Sequence, residues 1–76
     1  MKKDYDGTAL ADRLKNLMKV HKLTQQGLAE FLNISRQSVA QYLDGSAQPS
    51  IDKLYKLSER FDCSADFLLG LSNFYT

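Results

Sequence analysis

Residues 23–45 read LTQQGLAEFLNISRQSVAQYLDG, and the way this stretch breaks into helices decides the fold. Thr24 stands before a helical run and is a good N-cap, with Leu23 ahead of it placed to close a hydrophobic staple on Leu28. The run ends near Leu32. Asn33 accepts the left-handed conformation that follows a helix end, Ile34 resumes the apolar pattern, and Ser35 caps a second run whose Val39 staples onto Ile34. Gly45 closes it. Two stapled helices separated by about three residues are the sequence form of a helix-turn-helix.

The same punctuation extends outward in both directions. A first helix is expected from about Thr8 to His21, with Leu10, Leu14, Leu17 and Met18 on one buried face. After Ser46-Ala47-Gln48, Pro49 fixes the backbone and Ser50 caps a fourth helix to about Phe61. Ile51, Leu54, Tyr55, Leu57, Ser58 and Phe61 are read as its inward side. Ser64 caps a fifth, Ala65 to Leu69, which Gly70 stops. Gly27, at the third position of the second helix, costs up to about 1 kcal/mol of helix propensity. β-Branched residues never alternate over four positions, so no strand is expected. The fold class is all-α: a compact five-helix domain with the helix-turn-helix in helices 2 and 3.

Seventy-six residues make one domain, large enough to bury only about 60% of the surface of its unfolded chain. We read residues 1–76 as that single domain, with a core over about 8–70 and short tails. A composition of 43% hydrophobic and 25% charged residues excludes a disordered chain. No apolar run approaches the roughly 18 residues of a membrane span, and no apolar region follows Lys2 and Lys3, so a cytoplasmic, nucleoid-associated location is expected. Cys63, the only cysteine, is read as a small buried hydrophobe.

The net charge of +1 hides an uneven distribution. Residues 13–43 hold Arg13, Lys15, Lys19, Lys22 and Arg36 against Glu30 alone, whereas residues 44–76 hold three basic residues against five acidic ones. One third of the chain therefore carries the basic field.

The third helix carries the candidate chemistry. With Val39 at zero on a wheel of about 100° per residue, Leu43 and Tyr42 fall on its inward side, while Gln37 and Gln41 fall at about 160° and 200°, straight outward. Arg36 and Ala40 flank the glutamines on one side and Ser38 on the other. The face so read holds amides, a guanidinium, a hydroxyl and a methyl, and no carboxylate. A solvated helix normally mixes Glu with Lys. In the DNA major groove, Gln pairs with adenine, Arg with guanine, and an Ala methyl packs on the thymine methyl. A plain polar surface would accommodate the same side chains.

These residues bring a resemblance. Leu23-Thr24-Gln25, Leu28-Ala29, Ile34-Ser35, Ser38-Val39, the D-G-x-x-x-P-S link of residues 44–50 and the S-A-D-F-L-L-G close of residues 64–70 together resemble the lambda-repressor-like Cro/cI helix-turn-helix family. The likeness covers about residues 8–70. It implies a prokaryotic or phage transcriptional regulator, most often a repressor, that binds a double-stranded DNA operator as a homodimer. Carried over by position, Arg36, Gln37 and Gln41 are the base readers, Ser38 and Ala40 flank the groove, and Gln25 matches the glutamine that bonds a DNA phosphate. The sequence departs from the family at Leu43, where Glu is frequent, and at Ser46 and Gln48, where many members are basic. The phosphate grip then rests on Lys22, Gln25, Arg36 and backbone N–H groups.

About three neutralised phosphates per subunit give a log–log salt slope of about −2.7. Two subunits on half-sites about 34 Å apart double that term. The expected dimer surface is the aromatic end of the chain, Phe67, Leu71, Phe74 and Tyr75, although Phe67 and Leu71 could equally close the core. Two other functions fit the same chain: a protein-interaction module such as an antitoxin, or the DNA-binding part of a longer regulator.

No enzyme is expected. Ser50-Ile51-Asp52-Lys53 fits an S-x-x-K pattern but lacks companion motifs. Asn33-Ile34-Ser35 fits a glycosylation acceptor without a secretory signal. His21, the only histidine, is explained by the end of the first helix. No cofactor and no metal are expected.

Overall fold

A hydroxyl side chain starts four of the five helices. The computed structural model describes residues 7–72, which form α1 (Thr8–Val20), α2 (Gln25–Leu32), α3 (Arg36–Asp44), α4 (Ile51–Phe61) and α5 (Ala65–Leu69). Thr24, Ser35, Ser50 and Ser64 each accept the backbone N–H three residues ahead, satisfying one of the orphan donors of a helix start. α1 differs. Its N-cap is Gly7 at φ 78°, which bonds no side chain. The side chain of Gln48 lies where a Cβ on that residue would stand.

One turn joins helices three times. Lys22, Asn33 and Asp62 all take positive φ, at 55°, 57° and 52°. Each is followed by a residue of apolar character (Leu23, Ile34, Cys63) and then by a hydroxyl cap. The backbone N–H of each middle residue returns to a carbonyl of the preceding helix, at 2.9 Å to Met18, 3.0 Å to Ala29 and 3.0 Å to Ser58. These are the closing bonds by which a left-handed residue ends a helix. They let the chain turn sharply while sending the middle side chain inward.

The core follows from these directions. Leu10, Leu14, Leu17 and Met18 of α1 meet Leu28, Ala29 and Leu32 of α2, Val39 and Tyr42 of α3, Leu57 and Phe61 of α4, and Cys63 and Leu68. Both staple partners are in or against this cluster: Leu23 with Leu28, and Ile34 with Val39. Gly27 has a use that propensity alone misses. A Cβ there would stand 3.1 Å from Cδ1 of Leu23 and 3.2 Å from the capping oxygen of Thr24, so the bare backbone lets the staple close. Burial, and then the charge of Asp62, push the Cys63 thiol up, which keeps it protonated at neutral pH.

Two expectations about α4 are corrected. Ile51 and Tyr55 were placed on its inward side but are 86% and 63% exposed. With Leu57 and Phe61 fixing the core direction, they fall at about 120° and 160° from Leu57, on the outer face. Leu54 packs against the core as expected.

Arg13 departs from its assigned place in the basic field. Its guanidinium lies 4.3 Å from the Phe67 ring centroid, donates to the Phe67 carbonyl and donates to the Ser72 carbonyl at 2.6 Å. A cation at the C-terminal end of a helix is favourable there, and this one ties α1 to the end of α5.

Candidate nucleic-acid interface

α3 is held at both ends, which fixes what its outer face presents. Ser35 Oγ accepts the Ser38 N–H at 3.0 Å and lies 2.9 Å from Ser38 Oγ, so Ser38, assigned to the groove flank, also works on the cap. Val39 is 0% exposed and seats the helix. Opposite it stand Gln37, exposed, and Gln41, half-buried, while Arg36, exposed at about 60°, and Ala40, half-buried at about 100°, flank them on one side. Lys22, in the turn before α2, and Gln25, its first residue, are both exposed as well.

The far end of α3 was incompletely read. The helix continues through Asp44, at about 140° on the same wheel, between Ala40 and Gln37. The outward face therefore does carry a carboxylate. Asp44 Oδ1 accepts the Ser46 N–H at 2.7 Å. Bonds from the hydroxyl and backbone of Ser46, with Lys15 adding a through-space attraction, hold that carboxyl below the ordinary carboxylate range. The signal was present in the sequence, one residue beyond where the wheel stopped.

The link to α4 explains both departures from basic residues. Ser46 secures Asp44, and Gln48 donates to the Gly45 carbonyl at 3.3 Å while covering Gly7. The Ala47 N–H returns to the Gln41 carbonyl at 3.2 Å, folding the link back on α3. Leu43 is half-buried against the core, which accounts for an apolar residue there.

The expected dimer surface is divided. Phe67 packs against the core beneath Arg13, whereas Leu71 is 77% exposed. Phe74 and Tyr75 lie outside the described residues. Among the described residues, no three His, Cys, Asp or Glu side chains gather as a metal site, and no helix is long and apolar enough to cross a membrane.

Two capped helices across a three-residue turn, the second presenting amides and a guanidinium, define a helix-turn-helix domain. Residues 14–68 match the helix-turn-helix family, and the chain belongs to its Cro/cI-like group of transcriptional regulators. It is 43% identical over 61 residues to the helix-turn-helix-type transcriptional regulator YobD of Bacillus subtilis, covering 80% of this chain and 54% of that protein. It is 37% identical over 62 residues to the transcriptional regulator ImmR of the same organism, covering 82% of this chain and 49% of ImmR. A crystal structure of a transcriptional regulator from Listeria innocua superposes with a TM-score of 0.78 at 39% identity, covering 80% of this chain and 57% of that one. The chain thus spans about half the length of the relatives it matches.

Proposed function

We propose that this protein binds double-stranded DNA sequence-specifically and represses transcription by occupying an operator as a homodimer. The single observation that carries the reading is the exposed face of α3, where Gln37 and Gln41 stand opposite the fully buried Val39 on a helix capped by Ser35. α3 lies in the major groove with Arg36, Gln37 and Gln41 toward base edges and Ser38 and Ala40 at the groove flank. Lys22 and Gln25 take phosphates. Repression needs only occupancy of a promoter, a role that requires neither cofactor nor metal and that this reading places in the cytoplasm. The relatives are named as transcriptional regulators, which supports a binding role over a catalytic one. Dimerisation has support in the exposed apolar side chains of Leu71 and of Ile51 and Tyr55 on α4.

Selection from a random DNA pool, followed by affinity at two salt concentrations, tests the reading. An enriched sequence and a negative log–log slope, about −0.9 for each phosphate that a cation neutralises, are expected. Without enrichment and without a slope, the DNA function is abandoned.

A further inference from the structure

One charged group on the recognition face has no place in the scheme above. Asp44 is exposed and is the last residue of α3, seven residues beyond Gln37 and three beyond Gln41. At 1.5 Å per residue those separations are about 10 Å and about 4.5 Å along the helix axis. All three side chains fall within about 60° on the wheel, so the carboxylate continues the row that the glutamines begin.

Two opposing effects act on its charge within the fold. The C-terminal end of a helix carries partial negative charge, and α3 has no basic residue in its last turn to offset an acid there. The side chain buries nothing. Its bond to Ser46 offsets that opposition, so the carboxylate is stable where it stands although its charge packs against nothing. The carboxylate is also held still, since Oδ1 accepts the Ser46 N–H at 2.7 Å. Ser46, and to a lesser extent Lys15, holds the carboxyl below the ordinary carboxylate range, and it is ionised at neutral pH.

We propose that Asp44 is a specificity-determining residue that holds DNA phosphates off the last turn of α3, so that tight binding requires the base contacts of Arg36, Gln37 and Gln41. This inference rests on the DNA-binding function proposed above. The outward face is electrically polar along its length, with the Arg36 guanidinium at one end and the Asp44 carboxylate at the other. Phosphates are drawn to the first turn and repelled from the last. An unrelated duplex, bound only through its phosphates, gains from every arrangement that lays the helix flat. The carboxylate penalises those arrangements, whereas a matched site recovers affinity through Arg36, Gln37 and Gln41. Direct reading by Asp44, as an acceptor for a cytosine amino group, fits less well. The side chain is short, lies in the last turn and has one oxygen committed to Ser46.

The test compares the wild-type protein with Asp44→Asn, which keeps an acceptor for Ser46 and removes the charge, and with Asp44→Ala. Each binds the duplex enriched from a random pool and an unrelated duplex of equal length, at two salt concentrations, with thermal melts to verify folding. Asp44→Asn is expected to tighten the unrelated duplex by about two- to fivefold, the scale of one exposed charge interaction. The enriched duplex gains less, so discrimination falls while the base preferences in a repeated selection stay the same. Unchanged affinity for the unrelated duplex overturns the proposal, as does loss of a cytosine preference at one position, which would make Asp44 a reader. A wild-type protein that enriches no sequence and shows no salt slope removes the DNA function itself. Normal wild-type binding with an indifferent Asp44→Asn variant removes only this inference.

Discussion

Residues 24–45 and residues 50–70 are each a pair of capped helices joined by the same turn. Asn33-Ile34-Ser35 and Asp62-Cys63-Ser64 match in backbone: φ 57° against 52°, and a closing bond of 3.0 Å in each. Both second helices end at a glycine with positive φ, Gly45 and Gly70. Their outer surfaces part company. α3 has nine residues and faces outward with Arg36, Gln37 and Gln41, whereas α5 has five, of which Leu68 is buried and Phe67 packs on the core. The turn is therefore a means of changing direction, and what sets the first pair apart is the length and side-chain chemistry of its second helix. α1 packs on both pairs, against α3 of the first and α5 of the second.

That division can be broken or sharpened by substitution. The largest effect is expected from Phe61→Ala in the second pair, which removes a fully buried ring and costs about 3–5 kcal/mol, enough to unfold much of so small a domain. Urea or thermal unfolding measures it. Gln37→Ala is expected to leave the melting temperature nearly unchanged and to lose about 1–3 kcal/mol of discrimination at one base step, read by affinity for single-base variants of the enriched duplex. Equal losses on every duplex would remove Gln37 from the readers.

The caps offer a matched pair. Ser35→Ala and Ser64→Ala should each cost about 1 kcal/mol of stability, since each hydroxyl accepts one N–H at a helix start. Only Ser35→Ala should also lower DNA affinity, because it loosens the turn that carries Arg36 and Gln37. The smallest effects belong to the left-handed residues. Asp62→Gly and Lys22→Gly relieve the Cβ clash of positive φ and should raise stability by up to about 1 kcal/mol. Lys22→Gly should in addition weaken all DNA sequences alike and shrink the salt slope, which Asp62→Gly should not. If both behaved alike toward DNA, Lys22 would be no phosphate anchor.

Helix boundaries were legible because Thr24, Ser35, Ser50 and Ser64 mark starts by a local hydrogen bond, and Asn33, Gly45 and Gly70 mark stops by a local dihedral preference. The outward direction of Gln37 and Gln41 followed from Val39 in the same way. Ile51 and Tyr55 were misread because an apolar pair four residues apart looks the same on either face. Only the packing of Leu57 and Phe61 says which face is inner. Asp44 was missed because the wheel was read only as far as Leu43, with Asp44 counted in the link of residues 44–50. Nothing in the neighbourhood of Arg13 announces a partner more than fifty residues away.

That last contact has a kinetic consequence. The three turns and four hydroxyl caps form from residues within a few positions of one another, so they cost little loop closure. The Arg13 clasp joins positions 54 and 59 residues apart, and its entropy is recovered only after the helices between them have docked. The clasp is therefore expected to form late in folding, with a φ-value near zero at Arg13. Arg13→Ala should consequently leave the refolding rate almost unchanged and put nearly all of its cost into faster unfolding.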